Sequence, residues 1–198
     1  MPLNFVNKEN ELEFRKKDQV WLNLGCSDRK LPGFLNVDIR PESGADVIDD
    51  VRTLKTIEDN SVDLIYACHL FEHFDKHEWP EVLKCWYRKL KKGGILRLAV
   101  PDIDAVCRHY IKTRDLTHLY TSFWGSQRNI FDYHKWGWNS DTLITALIDT
   151  GFSKAGEWDW RETYPHYLEE CDDYAKAYLP HMDFVNGRHI SLNIQSIK

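Results

Sequence analysis

The stretch Val20–Arg40, VWLNLGCSDRKLPGFLNVDIR, holds two short apolar runs. Val20–Leu24 stops at Gly25, and Phe34–Val37 stops at Asp38. Runs of this length are too short for helices and read as strands. A strand ending in a glycine turn, followed by a strand ending in an acid, is how an open α/β sheet holds a nucleoside. Glycine lets the backbone approach the ligand, and the carboxylate accepts hydrogen bonds from ribose hydroxyls.

The rest of the chain keeps this rhythm. Ala45–Ile48 is a third strand and ends at Asp49-Asp50, and Thr53–Glu58 is read as one helical turn. Ser61–Ala67 is a fourth strand, apolar enough for burial on both faces, ending at Cys68-His69. Glu78–Leu90 carries Val82, Leu83, Trp86, Tyr87 and Leu90 at helical spacing, with Pro80 in the first turn. Gly93-Gly94 are expected to stop that helix, and Arg88, Lys89, Lys91 and Lys92 to answer its dipole. Ile95–Val100 is a fifth strand, and a helix follows over about Ile103–Lys112. A helix capped by Ser140 or Asp141 runs to about Thr150, with Leu143, Leu147 and Ile148 inward. A sixth strand runs from Gly151 to about Trp160, and Ile190–Lys198 alternates as a closing strand. The lead-in 1–19 has a helical turn near Asn10–Lys17, and a helix is expected around Leu168–Tyr178. Strands alternating with helices predict a doubly wound α/β domain with a mostly parallel sheet and an antiparallel terminal strand.

The glycine loop limits which nucleotide fits. A dinucleotide fingerprint needs G-x-G-x-x-G and an acid roughly twenty residues on. Here Gly25 stands alone and Asp38 follows it by 13 residues. No G-x-x-x-x-G-K-[ST] loop is present, and Asp28-Arg29 is a poor cradle for a pyrophosphate. A cofactor with a ribose and no phosphate fits better, which disfavours a nicotinamide oxidoreductase.

Four stretches, in order, then carry a family resemblance: LNLGCSDRKLPGFLNVDIR, VDLIYACHLFEHF, WYRKLKKGGILRLAVPD and HKWGWNSDTLITALIDTGF, with SLNIQSIK closing the chain. They resemble the class I S-adenosylmethionine-dependent methyltransferases, within them the small type-11-like group with a shortened first crossover. The resemblance implies a Rossmann-like, doubly wound, seven-stranded sheet in a single domain over 1–198, with substrate-side inserts at 114–140 and 161–187. It implies S-adenosyl-L-methionine as cofactor. Leu24, Gly25, Cys26 and Ser27 would contact its methionine part, and Asp38 beside Ile39 its ribose. Asp50 and Val51 would border adenine, and Cys68 and His69 the transferred methyl. Two positions depart from the family pattern: the later loop glycine is Ser27, and the proline of K-P-G-G is Lys92.

Methyl transfer from a sulfonium needs an acceptor held in line and, where the acceptor is protonated, a base. Histidine has a suitable ordinary pKa, so His69, His73 and His134 are the candidate catalytic residues, with Asp102 a further candidate base. The insert residues Asp172, Asp173, Tyr174, Tyr178 and Pro180–Asp183 combine acids and aromatics, which suit a small polar acceptor such as a sugar or glycan-precursor hydroxyl. A catalytically silent relative that binds cofactor or a partner is the alternative. His69-Leu70-Phe71-Glu72-His73 also spells H-x-x-E-H, the inverted zinc-protease pattern. That site needs both histidines on one face of a continuous helix. Here the motif starts at a strand end, so Glu72 is read as structural and no metal is assigned.

The totals exclude other classes. With 198 residues, 42% hydrophobic and 29% charged, the chain is long enough for one sizeable core. A net charge of -5 argues against a nucleic-acid partner, since phosphate binding requires a basic face. No apolar run reaches membrane-spanning length, so no membrane partner is expected. Five scattered cysteines, none spaced C-x-x-C, fit a reduced cytoplasmic thiol set. Eight tryptophans, five of them between Trp124 and Trp160, are read as core more readily than as a ligand platform.

Overall fold

In the computed structural model, residues 18–161, 173–181 and 183–198 are described. Seven strands form one sheet: β1 (Trp21–Leu24), β2 (Leu35–Asp38), β3 (Val47–Ile48), β4 (Val62–Cys68), β5 (Leu90–Pro101), β6 (Lys154–Glu157) and β9 (Ser191–Ile197). Their order is β3-β2-β1-β4-β5-β9-β6. Strands β1 to β5 pair in parallel, and β9 is antiparallel to both β5 and β6. The predicted architecture, including the antiparallel terminal strand, is therefore observed. A separate two-stranded ribbon pairs β7 (Tyr178–Leu179) with β8 (Arg188–His189).

The central strands are buried on both faces, and their side chains alternate as strand geometry requires. On β4, Ile65 and Ala67 join the larger core, with Leu96, Leu98 and Val100 of β5. Leu64 and Tyr66 join a second core on the opposite face, with Ala99. Helices α1 (Trp79–Lys89) and α4 (Ser140–Thr150) cover the first face. No helix fills the connection from β1 to β2, only turns. Aromatic side chains cover the second face instead: Trp21, Phe34, Tyr66 and Trp158 form a chain with ring centroids 5.4, 6.5 and 6.2 Å apart.

Several local readings are corrected. Helix α1 ends at Lys89, ahead of the glycines, because Leu90 turns extended and pairs with Val62. Gly93 and Gly94 lie inside β5, where its register with β4 shifts, and bond to Lys198, so strand pairing overrides the glycine stop signal. The basic cluster has specific partners beyond the helix dipole. Lys89 Nζ donates to the Ile57 carbonyl at 2.6 Å, Arg88 and Lys89 pair with Asp59, and Lys91 pairs with Asp63. The cap of α4 is Asn139, whose side chain accepts from the Thr142 N–H in a reciprocal box with the Thr142 hydroxyl. Ile148 lies outward, 46% exposed, while Leu143 and Leu147 are buried as expected. Thr53–Glu58 forms successive turns without a helix, and the sixth strand is shorter than predicted. Helix α2 (Ile103–Thr113) matches its prediction, and α3 (Tyr120–Trp124) adds one short helix in the aromatic segment. The turn near Asn10–Lys17 lies outside the described residues, as does most of the helix expected at 168–178. Within its described part, Tyr174–Lys176 make a 3-10 turn and Tyr178 begins a strand. Among the described residues, no helix is long and apolar enough to cross a membrane.

Candidate functional site

A cavity of about 520 Å³ opens across the carboxyl ends of β1, β2 and β4. This is where open α/β sheets bind ligands, at the reversal of strand order. Of the cofactor residues predicted from sequence, Gly25, Cys26, Ser27, Asp38, Ile39, Asp50, Val51, Cys68 and His69 line it. Leu24 does not: its side chain, 1% exposed, belongs to the core.

The glycine loop is held by the strand beside it. The N–H groups of Gly25 and Cys26 both donate to the Val37 carbonyl, at 2.8 and 3.2 Å. Gly25 adopts φ +65°, and a Cβ there would lie 2.8 Å from Leu70 Cδ1. Gly25→Ala is therefore expected to destabilise the fold by about 1–2 kcal/mol through left-handed backbone strain and crowding of Leu70. Equilibrium urea unfolding measures this loss. Adding Leu70→Ala to the variant relieves the crowding and leaves the backbone part. Ser27 also takes a left-handed φ of 50°, a conformation that glycine adopts at less cost.

Asp38, 4% exposed, is the hub of this loop. Its Oδ2 accepts the Ser27 N–H at 2.8 Å, and its Oδ1 accepts the Arg40 N–H at 2.9 Å and Arg40 Nε at 3.2 Å. Arg40 in turn donates to the Ser27 hydroxyl at 2.8 Å. A carboxylate has about four acceptor positions, so one remains, and Asp38 lines the cavity. Asp50 is clasped by Arg52, whose Nε and Nη2 reach its oxygens at 2.9 and 2.6 Å, and these bonds hold its carboxyl below its ordinary pKa. Val51 is fixed from below: Trp86 Nε1 donates to its carbonyl at 2.7 Å.

At the tip of β4, Cys68 donates to Asp173 Oδ1 at 3.1 Å, and the Tyr66 hydroxyl donates to the same oxygen at 2.9 Å. Burial and the neighbouring Asp173 push the Cys68 thiol well above its ordinary range, so it is not a thiolate nucleophile. The same burial, with Asp38 and Asp46 nearby, pushes Cys26 up to about 11. His69 follows in a left-handed conformation, φ 46°, with its ring 5.1 Å from that of Tyr174. Non-glycine residues held this way collect at functional sites.

The three candidate catalytic histidines converge on Glu72, and they differ in access to the cavity. His69 Nδ1 is 3.5 Å and His134 Nε2 3.7 Å from Glu72 Oε1. His73 and His134 stack edge to face at 4.9 Å. His69 and His73 line the cavity, whereas His134 does not, so a direct base role for His134 is not supported. Asp102 is also off the wall: it caps α2, accepting the Asp104 N–H at 3.0 Å. Burial disfavours every charged form here. It pushes Glu72 up to about 8, His69 down to about 3 and His73 down to about 4, and it also lowers His134. Near neutrality the cluster without a cation is largely uncharged.

The far wall contains residues that sequence reasoning did not single out. Arg29, Arg40, Arg52, Glu78, Lys135 and the run Arg128–Asp132 line the cavity. Arg29 lies over the Tyr174 ring, 4.3 Å from its centroid. The segments 114–140 and 161–187 each supply wall residues, Asp173 and Tyr174 in the second. Tyr178, Pro180, His181 and Asp183 are not on the wall, and Asp172 and Met182 lie outside the described residues. None of the eight tryptophans lines the cavity, and Trp86, Trp138, Trp158 and Trp160 are buried. The described cysteines, Cys26, Cys68, Cys85 and Cys107, are free thiols.

Residues 35–98 match the sequence model of a family described as a methyltransferase domain. The fold is that of S-adenosylmethionine-dependent methyltransferases. One similar solved structure, from Archaeoglobus fulgidus, is 17% identical with a TM-score of 0.55, covering 94% of this chain and 89% of that one. Another, from Methanosarcina mazei, is 17% identical with a TM-score of 0.56, covering 94% and 95%. A third, from Thermotoga maritima, is 15% identical with a TM-score of 0.56, covering 94% and 86%. Each is described as an S-adenosylmethionine-dependent methyltransferase. A search of curated protein sequences gives no match.

Proposed function

We propose that this chain transfers the methyl group of S-adenosylmethionine to a hydroxyl of a small polar acceptor, a sugar or glycan precursor. The carrying observation is the cavity at the carboxyl ends of β1, β2 and β4, with Gly25 and Asp38 at its two strand tips. Gly25, Cys26 and Ser27 hold the methionine part, Asp38 the ribose, and Asp50 and Val51 border the base. The cofactor supplies an activated methyl on a sulfonium. Held there, the cofactor would supply that methyl to the acceptor oxygen, with the sulfur as leaving group. The hydroxyl proton leaves to a histidine of the cavity wall, His69 or His73, both of which burial keeps as neutral imidazoles able to accept it. Two histidines on the wall support an active enzyme over a silent relative. Acids and aromatics on the acceptor side (Asp132, Phe131, Asp173, Tyr174) suit sugar hydroxyls and ring faces.

The test is incubation with methyl-labelled cofactor and a metabolite or glycan extract. Label in a neutral hydroxyl compound, lost in His69→Ala, is the expected result. Tight cofactor binding with no labelled product would favour the silent reading. Label on an amine or a macromolecule would overturn the acceptor class.

A further inference from the structure

We propose that Glu72, His73 and His134 bind a divalent transition-metal ion, zinc by preference, behind the cavity wall. One atom from each of the three lies within 4.8 Å of the other two. Ligands at about 2.0–2.2 Å around a tetrahedral ion stand roughly 3.4 Å apart, so closure needs side-chain shifts of about 1 Å or less. Glu72 is 1% exposed, and neither carboxylate oxygen has a hydrogen-bond partner among the described residues. A buried carboxyl in that state is costly, and a cation with imidazole ligands offsets the cost.

The histidines are already oriented as ligands. His73 Nδ1 meets the Tyr133 carbonyl at 3.0 Å, and His134 Nδ1 meets the Ser122 carbonyl at 3.1 Å. Each contact places the ring proton on Nδ1 and the lone pair on Nε2, the arrangement that fixes metal-bound imidazoles. The backbone is equally set. The N–H groups of Lys135 and Trp136 both donate to the Glu72 carbonyl, at 2.8 and 3.1 Å, so His134 is anchored beside Glu72 independently of any ion. Phe71 stacks on Trp138 at 5.2 Å, fixing the turn from below.

This is not the continuous-helix site that H-x-x-E-H spells in proteases. Phe71–His73 form a single 3-10 turn, and the further ligand comes from the segment after α3. The ion would tie that turn to the loop carrying Arg128–Asp132. It would also hold Glu72 as a positioning residue against His69 Nδ1.

The test uses the full chain, stripped with chelator and titrated with Zn²⁺ and, separately, Co²⁺. One ion per chain, a higher Tm with Zn²⁺ and tetrahedral Co²⁺ absorption bands are expected. His73→Ala and His134→Ala should each weaken Zn²⁺ binding by at least about 100-fold, beyond the loss typical of an outer partner. Glu72→Gln keeps the shape and should do the same if either alanine variant fails to fold. His118→Ala, an exposed imidazole paired with Asp115, should leave affinity unchanged. Failure of the wild-type chain to bind stoichiometrically, octahedral Co²⁺ spectra, or wild-type Zn²⁺ affinity in the three ligand variants would overturn the site. The cluster would then be an uncharged carboxyl–imidazole contact.

Discussion

Asp38→Ala is expected to weaken S-adenosylmethionine binding by about 1.5–3 kcal/mol, the range for losing hydrogen bonds to a charged acceptor. The effect has two sources. One is the ribose hydroxyl that loses its carboxylate. The other is the loop, because the Ser27 N–H, the Arg40 N–H and Arg40 Nε all lose an acceptor together. Ser27 would then be released from its left-handed conformation, and the backbone facing the methionine part would loosen. Titration calorimetry reads the total, and thermal unfolding without cofactor reads the loop part. Affinity unchanged within error would rule out Asp38 as the ribose ligand. Equal loss of cofactor affinity and of unliganded stability would reduce its role to holding the loop.

Trp86→Ala is expected to cost about 3–5 kcal/mol of stability, the range for emptying a large aromatic site in a core. Trp86 is fully buried on the inner face of α1, against Phe71 and Phe74 at 5.5 and 6.2 Å. Its indole also binds the Val51 carbonyl, and Val51 lines the cavity. Trp86→Phe keeps most of the packing and removes that hydrogen bond, so it should cost about 1–2 kcal/mol. Urea unfolding separates the two variants. Similar losses in both would mean that the hydrogen bond, and not the volume, holds this part of the core.

Much of the fold is legible in the residues because each strand carries its own pattern. Val62–Cys68 is apolar on both faces apart from Asp63, as two-sided burial requires, and it is the sheet's centre. The tips of those strands fall where the cavity opens, which is why Gly25, Asp38, Asp50 and His69 could be named from order and spacing. Element ends were less legible. Gly93-Gly94 is a stop signal for an isolated helix, yet here the glycines sit in a strand and pair with Lys198, and pairing outweighs propensity. Ile148 fits an apolar stripe, but α4 turns it to solvent.

The sequence alone determined the alternation of strands and helices, the glycine turn, the acid at the end of β2 and the cofactor class they resemble. These are local patterns of period two and of backbone freedom, written in neighbouring residues. The tertiary structure decided what lies within reach of those tips. His134 meets Glu72 across 62 residues, and Arg128–Asp132 close the cavity from a segment with no periodicity of its own. It also turned Glu72, in sequence one letter of a motif, into a buried carboxyl among three imidazoles. Burial and long-range contact set the charge and ligand capacity of such a group, and neither is a property of the residues beside it in the chain.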